Sequence, residues 1–400
     1  MDDRTFQELA TWITGAGLAG GSETELLAGF SERAVAAGLP LGTLIVVLDT
    51  LHPTHEGHGI RWRRNEAETA FMEYGRTDRG EMAENWRRST FYRLYSSDET
   101  YMRERLTDDV VARYWNLEAD RDAGMTEFLA VLTRFAPAGT IGDMDCMYSG
   151  WFTDRDRGFD DHEVAAIKRL VPFLAGAIKS VSLGRVVRNL AQTYLGRDAG
   201  ELVLSGRIER GVADRIEAVL WFSDLSGYTR ITDNAPPEQI IPLLNDYAEV
   251  IVSAIREHGG DVLKLIGDGV LAIFTSEDSS RACVASISAV LAAEQGISAL
   301  NERRAADQLP TTRMYVGLHI GDVFFGNIGS QDRLDFTVVG PAVNEASRIA
   351  AMCRSADQKM LVSAAFATAL RGAGPRLVSV GRYALRGVKQ PQELFTLDRS

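Results

Sequence analysis

The stretch Asp261-Val262-Leu263-Lys264-Leu265-Ile266-Gly267-Asp268-Gly269-Val270-Leu271-Ala272-Ile273-Phe274 decides how the second half of this 400-residue chain folds. Two short apolar runs flank a Gly-Asp-Gly turn, the pattern of a β-hairpin. Upstream, residues 216–222 read as a strand that ends at Asp224, and residues 237–258 as a helix. Downstream, 280–305 reads as a long helix, 313–319 and 323–326 as a strand pair, and 344–352 as a helix. Short strands near 377–380 and 393–397 close the chain. The succession is β-α-β-β-α-β with additions, an α+β fold.

The first half reads as a separate α+β domain. Ser22 followed by Glu25 forms a capping box before the helical stripe Leu26, Leu27, Phe30 and Ala34. Residues 42–49 read as a buried strand, and 127–135 and 145–152 as further strands, with helix also open for the first of these. From Asp161, apolar residues recur at helical spacing through Val181 and resume at Val186. Pro172 and Gly176 are expected to kink or break that helix. Residues 196–215 read as a polar connector, and the segment after Trp12 as a Gly-rich loop.

Composition narrows the class. With 45% hydrophobic and 24% charged residues this is a folded chain, and a formal charge of -12 argues against a broad surface for nucleic acid or anionic lipid. Cys146, Cys283 and Cys353 share no metal-ligand spacing and no disulfide framework, which fits a reducing cytoplasm. No signal peptide is expected at the start, and no stretch long and apolar enough for a membrane span.

Several residues in the second half can carry chemistry. Asp224 at a strand end and Asp268 in a hairpin turn can together hold divalent cations, although aspartate is also an ordinary turn residue. Leu225-Ser226-Gly227-Tyr228-Thr229 leads into a helix whose first N–H groups can hold phosphate; the alternative is a plain helix cap. Lys264 sits inside an apolar strand on the side of Val262 and Ile266, where it either meets a ligand or snorkels to solvent. Asn344 and Arg348 are four apart on one helix face, where they present a phosphate-binding pair or a surface pair. His319 lies in a strand-like run and reads as a packing residue.

These segments, Phe222–Thr229 (Phe-Ser-Asp-Leu-Ser-Gly-Tyr-Thr), Lys264–Gly269 (Lys-Leu-Ile-Gly-Asp-Gly) and Thr337–Arg348 (Thr-Val-Val-Gly-Pro-Ala-Val-Asn-Glu-Ala-Ser-Arg), resemble the class III adenylate/guanylate cyclase catalytic domain over about residues 213–400. Gly317–Gly321 and Gly326–Gly329 fall between them in the order that family shows. The resemblance implies a ferredoxin-like βαββαβ core and an adenylate cyclase that turns ATP into cyclic AMP and pyrophosphate. It implies two cations per active site, Mg2+ or Mn2+, on Asp224, Asp268 and the Leu225 backbone carbonyl. Lys264 and Thr337 would read adenine, Ser226, Gly227, Tyr228 and Thr229 would meet the triphosphate, and Asn344 and Arg348 would be catalytic. Arg386 stands where the family commonly has a phosphate-contacting lysine. Since one chain carries the whole set, a homodimer with two composite sites is implied. The rival readings are a guanylate cyclase, which normally has an acidic and a small residue in place of Lys264 and Thr337, and a non-catalytic dimeric nucleotide-responsive signalling protein.

The end of the first half, residues 148–163, is similar to the closing strand and helix of a GAF-like sensory domain. The expected organisation is a regulatory domain over 1–182, a helical signalling linker over 183–212 and the catalytic domain over 213–400. An unidentified small ligand at the regulatory domain is compatible with the aromatic cluster Trp62, Phe71, Tyr74, Trp86, Phe91, Tyr92 and Tyr95, although ordinary core packing explains these residues more directly. His52, His55 and His58 recur every third residue; with Pro53 and Gly57 among them they read as a solvated loop rather than a metal site.

Overall fold

Ser22 and Glu25 do close the expected box: Ser22 Oγ accepts the Glu25 N–H at 3.2 Å and the Glu25 carboxylate accepts the Ser22 N–H at 3.0 Å. The helix they start, α2 (Glu23–Ala36), follows α1 (Asp3–Ala19). The Gly-rich segment after Trp12 is therefore helix and not loop. Its glycine is used for packing, because a Cβ at Gly17 would stand 2.7 Å from Ala177 Cα. The computed structural model describes residues 1–78, 80–135, 141–142, 144–385 and 391–398. By internal packing the chain divides into unit 1, Met1–Leu190, and unit 2, Ala191–Ser400.

Unit 1 is built on strands β1 (Thr43–Asp49), β2 (Gly57–Arg63), β3 (Ala70–Tyr74), β4 (Tyr101–Arg105), β5 (Glu127–Arg134) and β6 (Cys146–Thr153), with short helices α3 (Gly80–Arg87), α4 (Thr90–Tyr95), α5 (Asp108–Arg113) and α6 (Glu118–Asp122) between them. They form one antiparallel sheet in the order β3-β2-β1-β6-β5-β4. One face packs Leu44, Val46 and Trp151 against α1, α2 and α7 (Asp161–Leu195). The other packs Phe128, Leu132 and Phe152 under α4 and α5. Pro172 lies inside α7 without breaking it. The lost backbone hydrogen bond costs about 3 kcal/mol, and burying Ile167, Leu170, Leu174 and Ile178 returns more, at about 1.5–3 kcal/mol for each large side chain.

The histidine segment is not a single loop. His58 is in β2 and fully buried, 3.2 Å from Glu23, whose other oxygen meets Arg185 of α7 at 3.2 Å. His52 and His55 stay at the start of the segment, ring to ring at 4.8 Å. Among the described residues, no three His, Cys, Asp or Glu side chains are grouped to hold a metal.

Unit 2 begins with the end of α7 and α8 (Arg197–Leu204), so part of the expected connector is helical. There follow β7 (Ala213–Leu225), α9 (Tyr228–Asn234), α10 (Pro237–Glu257), β8 (Asp261–Ile266), β9 (Gly269–Phe274), α11 (Ser279–Ala306) and β10 (Met314–Gly329). Next come β11 (Leu334–Val339), α12 (Pro341–Met352), β12 (Met360–Ser363), α13 (Ala364–Leu370), β13 (Leu377–Tyr383) and β14 (Gln392–Leu397). The sheet order is β13-β14-β12-β10-β7-β9-β8, with β11 paired to β10. The expected strand pair at 313–326 is one continuous strand: β10 runs through Gly321 and Asp322 because it pairs with β7 from Met314↔Leu225 to Gly326↔Ala213. Partner strand length overrode the local Gly-Asp turn signal.

Helices α10 and α11 bury one face of this sheet around Trp221, Ile251, Phe274 and Ile287, while α8 and α12 cover the other around Leu220, Ile273 and Phe336. Gly317 lets α12 lie on β10, since a Cβ there would be 2.4 Å from Ala350 N. Contrary to the sequence reading, α7 and α11 are long and apolar enough to cross a membrane by length and composition. Both bury apolar residues inside their own units, Leu170, Leu174 and Ile178 of α7 and Ile287, Val290 and Ile297 of α11.

Candidate active site

Asp224 is the penultimate residue of β7, and Asp268 is in the turn joining β8 to β9. Ser223 pairs with Val270 and Ile266 with Gly269, which brings the turn beside the end of β7. Asp268 Oδ2 accepts the Leu225 N–H at 3.1 Å and fixes the two strand ends together. Asp224 is half-buried, and its Oδ1 is buried with no hydrogen-bond partner. Burial first, and the Asp268 charge second, raise the Asp224 carboxyl above its ordinary value, while Arg354 just beyond α12 pulls it down. Two converging carboxylates with an orphaned oxygen are a donor set that suits a hard divalent cation, whose remaining ligands are commonly water and substrate phosphate. Arg354 was not singled out from the sequence. Its position after the Asn344–Arg348 helix carried no signal of its own.

The Ser226–Thr229 segment makes the turn into α9. Gly227 is left-handed at φ 72, and no side chain caps the helix start. The Ser226 N–H donates to Arg313 O at 2.7 Å, so it is already engaged. Gly227, Tyr228 and Thr229 follow at the uncapped start.

Lys264 departs from its expected setting. A bulge between Val262 and Lys264 breaks strict alternation, and Ile266 is exposed. The Lys264 ammonium is ion-paired with Asp335 of β11. Asp335 is two residues before Thr337, which is buried and pairs with Gly326. The structure thus brings Lys264 to the strand of Thr337.

On α12, Asn344 is exposed and Arg348 half-buried. Among the described residues neither has a hydrogen bond or ion pair, to the two aspartates or to any other side chain. His319 is a packing residue as expected: it is buried, 2.9 Å from Ser363 Oγ and 3.0 Å from Glu345, and burial lowers its imidazole below the ordinary value against the Glu345 charge. Arg386 lies outside the described residues.

Residues 213–399 match the family model of the adenylate and guanylate cyclase catalytic domain. Over these residues, a little under half of its length, the chain is similar to a class III cyclase catalytic domain. An uncharacterized protein of Mycobacterium tuberculosis (strain CDC 1551 / Oshkosh) is 31% identical over 214 residues, 53% of this chain and 37% of that protein. An adenylate cyclase of Anabaena cylindrica is 33% identical over 160 residues, 39% of this chain and 31% of that protein. The chain thus spans about a third of the length of these relatives. Among solved structures, the adenylyl cyclase CyaB from P. aeruginosa is 24% identical with a TM-score of 0.44, covering 47% of this chain and 97% of that one. The guanylyl cyclase Cya2 is 28% identical with a TM-score of 0.40, covering 46% and 93%.

Proposed function

We propose that the chain is an adenylate cyclase that converts ATP into 3′,5′-cyclic AMP and pyrophosphate, the ribose 3′-oxygen attacking the α-phosphorus in line. The observation that carries the reading is the Asp224–Asp268 pair, with its orphaned buried oxygen and raised carboxyl, inside a cyclase domain. Asp224, Asp268 and the Leu225 carbonyl would hold two Mg2+ or Mn2+ ions. Such cations, when bound, offset phosphate charge and acidify the ribose hydroxyl. Backbone N–H groups at Gly227, Tyr228 and Thr229, with the Ser226 hydroxyl, would bind the triphosphate. Asn344 would orient the ribose, and Arg348 would meet charge on the transferring phosphoryl group.

ATP is preferred over GTP on this reading because Lys264 and Thr337 are retained and guanine selection calls for an acidic and a small residue. The Asp335 partner does not prevent this. Side chains 30% and 56% exposed make a pair worth about 0–1 kcal/mol, which a base can displace. Asn344 and Arg348 make no bond to the carboxylates of their own chain, which supports a homodimer with two composite sites, each taking its carboxylates from one subunit and Asn344 and Arg348 from the other. Arg386 keeps its suggested phosphate role from the sequence alone.

The remaining assignments belong to the same reading: a GAF-like regulatory domain over 1–182, a signalling linker over 183–212 and the catalytic domain over 213–400. A cytoplasmic protein that binds neither nucleic acid nor membrane is inferred from the acidic charge and the three free, buried cysteines. The test is to incubate purified protein with ATP or GTP, each with Mg2+ or Mn2+, and separate products by chromatography. Cyclic AMP from ATP is expected. Preferential cyclic GMP formation would make it a guanylate cyclase, and no cyclic product under any condition would favour a non-catalytic signalling platform.

A further inference from the structure

The end of β7 aims successive backbone groups at its two neighbours. Leu225 gives its N–H to Asp268 on one side, and Ser226 gives its N–H to Arg313 O at 2.7 Å on the other. The peptide between them is trans, which sets the Leu225 carbonyl opposite the Ser226 N–H. That carbonyl therefore faces the side of Asp268, away from Arg313.

A segment outside the sheet keeps Ser226 in this orientation. Thr312 lies just before β10 and is 7% exposed. Its hydroxyl donates to Ser226 O at 2.7 Å, so Ser226 is anchored at both its N–H and its C=O. Thr312 is itself seated by two helices. Its N–H donates to the Tyr247 hydroxyl of α10 at 2.9 Å, and its C=O accepts the Asn301 side-chain amide of α11 at 2.8 Å. The Tyr247 hydroxyl donates in turn to the Asn301 side-chain carbonyl and closes the ring. Tyr247 is fully buried. Behind it, Arg304 gives its Nε–H to Pro310 O at 2.8 Å and is ion-paired with Asp246.

A buried polar ring with every member paired is rigid. Strand register does not need it, because β10 pairs with β7 from Met314 onward. What the ring fixes is the backbone that follows Asp224. Hard divalent cations take oxygen ligands at closely defined distances, and a peptide free to rock would lose affinity for them. We propose that Thr312, seated by Tyr247 and Asn301, is a positioning residue that holds the Leu225 carbonyl beside Asp224 and Asp268 as a cation ligand. The inference rests on the cation reading of that carboxylate pair and adds the residues that shape its third donor.

The test is titration of the full chain with Mn2+ alone, read by electron paramagnetic resonance, which separates free from bound metal without turnover. The unaltered protein should bind Mn2+ and Asp224→Ala should not, which locates the metal. Thr312→Val keeps the shape and the backbone bonds to Tyr247 and Asn301 but removes the bond to Ser226. It should weaken Mn2+ about fivefold, which is about 1 kcal/mol, at unchanged stoichiometry. Thr312→Ser should restore the affinity. A role in stability alone would lower the melting temperature and the number of competent sites, and leave the affinity as it was. If Thr312→Val lacks a cooperative melting transition, Tyr247→Phe unseats Thr312 and should weaken Mn2+ about twofold or more. Unchanged affinity in a folded variant, or a loss that Thr312→Ser shares, would overturn the positioning role and leave the cation reading standing. Equal Mn2+ binding by Asp224→Ala, or none by the unaltered protein, would overturn both.

Discussion

Asp261, the first residue of β8, is 5% exposed, and its Oδ2 has no hydrogen-bond partner. Burial, then the Asp198 charge, raises its carboxyl from 3.8 to about 6; the backbone N–H groups of Asp198 and Arg197 at the start of α8, and the Arg197 charge, pull the other way. A carboxyl raised in the folded state favours folding while it is protonated, and that advantage is lost as pH rises from about 4 through about 6. Above both values the ionised group costs about 3 kcal/mol relative to a neutral one. Asp261→Asn removes the charge and keeps an acceptor for α8, but a neutral acceptor is weaker at a helix start, so the net gain at pH 8 should be about 1–2 kcal/mol. In a unit of this size that raises the melting temperature by about 2–8 °C. Scanning calorimetry of the full chain at pH 8 and pH 4 should show the gain at pH 8 and almost none at pH 4. Equal melting of the two proteins at pH 8, or a less stable variant there, would refute the account of Asp261 as a buried, under-compensated carboxylate.

Asp224→Ala and Asp268→Ala should each lower cyclic AMP formation by about 100-fold or more while keeping the melting transition of the sheet; near-normal turnover by either would exclude the carboxylate pair from the reaction. Lys264→Glu with Thr337→Ala should narrow the ATP-to-GTP ratio of kcat/KM. Because the new glutamate would face Asp335, the comparison should include Asp335→Asn, and an unchanged ratio in all combinations would reject base reading by these residues. Asp224→Ala and Arg348→Ala homodimers should be nearly silent, yet a random 1:1 mixture should recover up to about a quarter of the original activity, since half the dimers then hold one sound site. Silence of a verified heterodimer would overturn the composite site.

Much of the second unit was legible because its signals are local. The Gly-Asp-Gly turn between two apolar runs specifies a hairpin wherever it folds, and an apolar strand ending at Asp224 presents that residue at the sheet end. The Ser22–Glu25 box likewise needs only adjacent residues. Where the reading failed, distant partners decided. Gly321-Asp322 carries a turn signal, but pairing with the 13-residue β7 holds β10 extended through it. Pro172 disrupts one hydrogen bond, but the buried stripe around it holds α7 together. His58 reads as part of a loop until Glu23 and Arg185 surround it.

By itself the sequence determined the order of the main elements in the second unit and the residue types at its candidate site, because strand, turn and cap preferences act over a few positions. Only the tertiary structure decided that Asp224 is left with an unpartnered oxygen beside Asp268, that Lys264 is paired with Asp335, and that Asp261 is buried beside α8. Burial and charge act through space, and the groups that set them are brought together by strand pairing between segments far apart in the chain.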